Sequence, residues 1–166
     1  MNLLYHRMGL QPDYHRLLPS STLSEGYIIY SGSRIILTSA DKGITWKIQN
    51  SDDWPELNNI VWSGSQLVIV GGNTNKPGII LTSSNGSTWT IQAPGTWPQL
   101  IDVAWSGHLL AAVGVNGTIL TSLDGSTWTS QKFPVQNGSP PDLFGIAWLG
   151  SHFVAVGAGG TILTSP

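Results

Sequence analysis

"ILTSLDGSTWTSQ", residues 119–131, stands almost unchanged at 80–92 as "ILTSSNGSTWTIQ" and, lengthened by one residue, at 36–49 as "ILTSADKGITWKIQ". The repeat extends beyond these strings. Trp62, Trp105 and Trp148 lie 43 residues apart, as do Leu57, Leu100 and Leu143, and the pairs Val70-Gly71, Val113-Gly114 and Val156-Gly157. A period of this length with four short β-rich runs suits a propeller blade, because one four-stranded sheet cannot bury both faces alone and must stack on its neighbours. Helix-pair solenoids have similar periods, but they require helical apolar stripes, and these runs alternate between turn residues. The expected fold class is all-β, a β-propeller-type repeat of four-stranded blades.

One unit reads as strand A over 58–64 ("NNIVWSG"), B over 66–72 ("QLVIVGG"), C over 78–84 ("GIILTSS") and D over 87–93 ("STWTIQA"), each bounded by Gly, Asn, Pro or Ser. The next unit repeats all four runs as "LIDVAWSG", "HLLAAVG", "GTILTS" and "STWTSQ". The last unit, "LFGIAWLG", "HFVAVG" and "GTILTS", lacks D, while an early one supplies only B, C and D as "GYIIYSG", "RIILTS" and "ITWKIQ". This makes about four blades, two of them incomplete: 27–50 partial, 51–93 full, 94–136 full and 137–166 partial. Residues 1–26 form a non-repeat N-terminal extension, with a short helix expected over "NLLYHRM" and a possible role in covering a sheet edge.

At 166 residues the chain fits one domain. Only 10% of residues are charged and the net charge is -2, so there is no basic field for nucleic acid. The absence of cysteine excludes a disulfide framework and thiolate zinc sites. Apolar runs such as "LVIV" at 67–70 fall far short of the roughly 20 residues of a membrane helix. Membrane insertion is not expected, and residues 1–20 do not read as a secretory signal.

The C-to-D turn carries the motif. In "SADKGITW", Ser39, Asp41, Gly43, Thr45 and Trp46 match S-x-D-x-G-x-T-W, the Asp-box or bacterial neuraminidase repeat. Ser83, Asn85, Gly86 and Trp89, and Ser122, Asp124, Gly125 and Trp128, are the shorter copies. The chemistry of these residues is structural: the Asp accepts backbone N–H bonds in an Asx-turn, the Gly adopts positive φ, and the Trp wedges against the next blade. Trp46, Trp89 and Trp128 are expected at equivalent buried positions, and Trp128→Ala is expected to cost roughly 3–5 kcal/mol. "AAVGVNGTILTSLDGSTWT" (111–129) resembles a bacterial propeller family that includes photosystem II assembly and stability factors, and the resemblance covers about residues 27–166. It implies a β-propeller scaffold for protein binding in an extracytoplasmic setting, with no cofactor. The departures are the one-residue shortening of copies two and three, Asn85 in place of Asp, and a complete closed ring in the assembly factors that this chain cannot supply alone.

No catalytic constellation is present. Sialidase chemistry needs an arginine cluster, a nucleophilic Tyr with a Glu partner, and an acid/base carboxyl group; the arginines here are Arg7, Arg16 and Arg34, and no Tyr lies beyond Tyr30. His108 and His152 read as solvated turn residues, and Asp52, Asp53, Asp102 and Asp142 as caps or loop carboxylates, so no metal is expected. Antiparallel order puts the D-to-A and B-to-C connections on one rim and the C-to-D turns on the other. The first rim carries Trp54, Trp97, Asn73, Asn75, Lys76 and Asn116, a candidate ligand-binding set; the alternative packs both tryptophans between blades.

The leading functional reading is a non-catalytic propeller module for protein binding or assembly scaffolding. Carbohydrate binding or a glycan-acting propeller is the alternative, and a fragment of a longer propeller is the third reading. The uncovered end blades also suggest a homodimer, in which two copies make seven or eight blades and complete a ring.

Overall fold

The computed structural model describes residues 28–32, 35–41, 43–49, 54–92, 97–134 and 138–165. The 1–26 extension with its expected helix, and Asp52 and Asp53, lie outside the described residues. Among the described residues four antiparallel sheets follow one another, each pairing its strands in chain order. The first contains β1 (Ile28–Gly32), β2 (Ile35–Ser39) and β3 (Lys47–Gln49). The second contains β4 (Leu57–Trp62), β5 (Leu67–Asn73), β6 (Lys76–Ser83) and β7 (Thr90–Gln92). The third contains β8 (Leu100–Trp105), β9 (Leu110–Gly114), β10 (Ile119–Ser122) and β11 (Thr129–Ser130), and the fourth β12 (Leu143–Trp148), β13 (Phe153–Gly157) and β14 (Ile162–Thr164). Strands β4, β8 and β12 adjoin one another, so each sheet is a blade of a β-propeller-type arc, as the repeat predicts.

Strand alternation divides each blade between two seams. In β5, Leu67 and Ile69 join the seam to the first blade with Ile36, while Val68 and Val70 join the seam to the third with Leu110, Ala112 and Leu120. Both faces of β5 are therefore buried, which explains the unbroken run "LVIV". The third blade repeats the division: Leu100, Val103 and Leu110 face back to the second, and Ala104, Ala111 and Val113 face forward to Leu143, Ile146 and Phe153. Burying each large aliphatic side chain contributes about 1.5–3 kcal/mol, so the seams dominate the stability of the arc.

Glycines in the Val-Gly pairs are explained by close approach. A Cβ on Gly71, Gly114 or Gly157 would strike the carbonyl oxygen of Glu56, Gln99 or Asp142. Each of these carbonyls accepts the N–H of the residue after the glycine: Gly72 at 2.8 Å, Val115 at 3.0 Å and Ala158 at 2.8 Å. The bonds tie the start of strand A to the end of strand B on one rim.

Two sequence expectations are corrected. The D strands are shorter than 87–93 and 126–131, because the N–H groups of Ser87, Thr88, Ser126 and Thr127 bond the side chains of Asn85 and Asp124 rather than a ladder. The three turn tryptophans are not equally buried. Trp128 is 8% exposed, whereas Trp46 and Trp89 are half-buried. Trp128 packs in the seam between the second and third blades, and Trp89 in the seam with the first, of which three strands are described.

The inner strands also carry a polar link. Asp102 in β8 accepts N–H bonds from Val103 and from Ile146 in the fourth blade, both at 2.8 Å, and a bond from the Asn59 amide in the second. This half-buried carboxylate bridges three blades, a larger part than the cap or solvated loop residue the sequence suggests.

Candidate functional site

The rim formed by the B-to-C turns and D-to-A connections opens into a cleft of about 530 Å³. One wall is the tight β5–β6 hairpin, where the Asn73 side chain accepts the N–H groups of Asn75 at 2.9 Å and Lys76 at 2.8 Å. This Asx geometry fixes the turn and leaves Asn75 and Lys76 exposed at its tip. The floor is the connection into β8, where the Gly78 N–H bonds the Trp97 carbonyl at 2.7 Å and holds Pro98 and Gln99 against the second blade. The far wall is the turn at Val115–Gly117, in which Asn116 has the left-handed conformation (φ 56°) and donates its N–H to Asp142 at 2.8 Å. Three blades thus contribute backbone-defined groups to one depression.

Four of the six residues expected on this rim meet there: Asn73, Asn75, Lys76 and Asn116 all line the cleft. Trp54 and Trp97 do not. Trp54 packs against the core between the first two blades and Trp97 against that between the second and third. Gln99 and Asp142 were not singled out for this site, yet both line it. They occupy the same repeat position, 43 residues apart, immediately before strand A, and that register is the signal pointing to them.

The opposite rim is built from the C-to-D turns, and all three use one hydrogen-bond scheme. Ser39, Ser83 and Ser122 each accept the N–H of the turn glycine, at 2.7, 2.8 and 2.8 Å. These glycines, Gly43, Gly86 and Gly125, have φ of 86°, 72° and 71°. The following acceptor takes the backbone N–H of Thr45, Thr88 or Thr127, at 2.8, 2.9 and 2.7 Å. The one-residue shortening and the Asp-to-Asn exchange at Asn85 therefore leave the turn intact. The Thr45 hydroxyl and N–H, with Ser39, hold the Asp41 carboxyl at about 2, and the N–H groups of Thr127 and Ser126 hold Asp124 at about 2. Trp128 completes its turn by donating Nε1–H to the Gly125 carbonyl at 2.9 Å. The Nε1 atoms of Trp89 and Trp97 are buried with no hydrogen-bond partner among the described residues.

The remaining candidates stand apart from the cleft. His108 is exposed in the β8–β9 turn, and His152 in the β12–β13 turn lies 2.9 Å from the Ser151 hydroxyl. Among the described residues no group of three or more His, Cys, Asp or Glu could hold a metal ion, and no helix is long and apolar enough to cross a membrane.

No protein-family model matches the chain, and no curated protein is detectably similar to it in sequence. Solved structures share its fold. YCF48 from Cyanidioschyzon merolae superposes with a TM-score of 0.66 at 17% identity, over 95% of this chain and 55% of that one. A chain from the crystal structure of a nidogen/laminin complex gives 0.61 at 13% identity, over 79% and 51%. The tricorn protease gives 0.51 at 8% identity, over 93% of this chain and 18% of its own. These likenesses establish a propeller-type fold, and the chain spans about half the length of the first two.

Proposed function

We propose that the chain is a non-catalytic propeller module that binds an extended segment of a protein partner in the rim cleft. The observation that carries this reading is the composition of the cleft, which Asn75, Lys76, Gln99, Asn116 and Asp142 line together with Pro77 and Pro98. Amides offer both donors and acceptors, which suits an unpaired peptide backbone, and rigid connections set their spacing. Trp54 and Trp97, the expected sugar-stacking platforms, pack into the seams, which favours a peptide over a carbohydrate. The nidogen/laminin neighbour comes from a protein–protein complex, in keeping with this reading. The serine–acid–glycine turns support assignment to the Asp-box propellers, with an assembly-scaffold role like that of the bacterial photosystem II factor-like family.

Peptide display on the immobilised chain tests the proposal. Selected peptides should lose about tenfold in affinity, roughly 1.4 kcal/mol, with Lys76→Glu or Gln99→Ala and none with Leu123→Ala on the other rim. Binding indifferent to the cleft substitutions overturns it, and glycan-array binding that depends on them replaces the peptide with a carbohydrate.

A further inference from the structure

The chain has three Asn-Gly pairs, Asn85-Gly86, Asn116-Gly117 and Asn137-Gly138, the asparagine of the last lying outside the described residues. The first two meet different surroundings. Asn85 is pinned through its side chain: Oδ1 accepts the N–H groups of Ser87 and Thr88, both at 2.9 Å, while the Gly86 N–H is given to the Ser83 hydroxyl at 2.8 Å. Asn116, exposed on the cleft wall, has a side chain with no hydrogen-bond partner among the described residues; its bond to Asp142, at 2.8 Å, uses the backbone N–H. The corresponding turn between β13 and β14 follows the same course, with Gly159 at φ 65° and ψ 22° where Asn116 has φ 56° and ψ 36°. One bond closes both turns, from Thr118 N–H to the Val115 carbonyl at 3.1 Å and from Thr161 N–H to the Ala158 carbonyl at 3.2 Å. The turn therefore accepts glycine in place of asparagine.

We propose that Asn116-Gly117 is a site of spontaneous deamidation, a modification that places a new carboxylate on the cleft wall beside Asp142. The Gly117 amide nitrogen attacks Cγ of Asn116, the new N–Cγ bond closes a five-membered succinimide, and the side-chain nitrogen leaves as ammonia with the amide proton. Water then opens the ring at either carbonyl. Breaking the N–Cγ bond gives aspartate; breaking the bond between the Asn116 carbonyl carbon and the Gly117 nitrogen gives isoaspartate, with one extra methylene in the backbone. One water is consumed and one ammonia released. A glycine leaves the attacking nitrogen unshielded by a side chain, and packing fixes Gly117, because a Cβ there would strike Pro140 and Phe133. The reaction must also turn Cγ toward that nitrogen. At Asn85 this movement breaks the bonds to Ser87 and Thr88 and draws Gly86 from Ser83, whereas at Asn116 no side-chain bond is lost. Hydrogen bonds given up on the way to the ring slow its closure, so the fold should separate the two rates by about tenfold. The reaction needs no partner and is independent of what the cleft binds.

Ageing of the 166-residue chain in mildly alkaline buffer, followed by digestion and mass spectrometry that separates aspartate from isoaspartate peptides, reads each Asn-Gly pair on its own. In the folded chain Asn116 should convert about tenfold faster than Asn85 and yield both products. In urea the two should convert at similar rates, because the dipeptide is the same and only the fold distinguishes them. Asn116→Gly, which copies Gly159 in the corresponding turn, should keep the β-sheet circular dichroism and the slow conversion at Asn85 while removing the fast one. No conversion at Asn116, conversion at Asn85 as fast as at Asn116 in the folded chain, or a tenfold difference that persists in urea overturns the proposal.

Discussion

The seams and the C-to-D turns hold the same blades by opposite strategies. Turn residues hardly vary between copies: a serine, an Asp or Asn, a glycine, a threonine and a tryptophan recur, and the same N–H groups are satisfied in all three. Seam residues drift. Val61 and Val68 of the second blade become Ala104 and Ala111 in the third, and the blade facing those alanines carries Phe153 where the others have Leu67 and Leu110. The phenyl ring fills the lost volume and meets Trp148 with centroids 4.8 Å apart. Apolar contact is non-directional, so bulk can move across a seam, whereas a turn hydrogen bond requires its donor and acceptor in fixed places.

The substitution with the largest expected effect falls where the two strategies meet. Trp128 belongs to a turn and a seam at once, and Trp128→Ala should cost about 3–5 kcal/mol in chemical denaturation. Trp89→Ala should cost measurably less, and equal losses would contradict the difference in burial. Next, Leu110→Ala, wholly within a seam, should cost about 2–5 kcal/mol. A double-mutant cycle sharpens the compensation: Phe153→Leu should destabilise by about 1 kcal/mol, and Ala111→Val in the same chain should recover part of it. Strict additivity would show that the two residues do not share volume.

In the turns, Gly125→Ala should cost about 1–2 kcal/mol because φ is 71° there, read as a lowered thermal midpoint. The smallest effect is in acid. Asp41 and Asp124 are held near 2, below the ordinary carboxylate value, so their stabilisation is complete above about pH 4 and disappears as pH falls through 2. Combining Asp41→Asn with Asp124→Asn should flatten the fall of the melting temperature between pH 4 and pH 2. An unchanged slope would mean these turns contribute nothing to acid stability.

The repeat made the blades legible because each Trp, Leu and Val-Gly pair marks a fixed place on a strand. Cleft residues Asn73 and Asn116 were legible through strand order, since antiparallel blades put every B-to-C connection on the same rim. Gln99 and Asp142 were not, because their part depends on blades meeting: Asp142 serves Asn116, 26 residues earlier, across a blade boundary. Trp54 and Trp97 carried two readings that local sequence could not separate, because an aromatic residue beside a proline packs inward or faces solvent according to its neighbouring blade.

A stack in which every sheet touches only its neighbours can unravel from its end, one layer at a time. Asp102 alters that behaviour. Peeling β12 away removes the Ile146 donor from a carboxylate that Asn59 and Val103 still hold, so the loss of one blade costs a charge-assisted bond in the next. Fraying of the last layer is therefore opposed one layer in, at a carboxylate that also ties down the second blade.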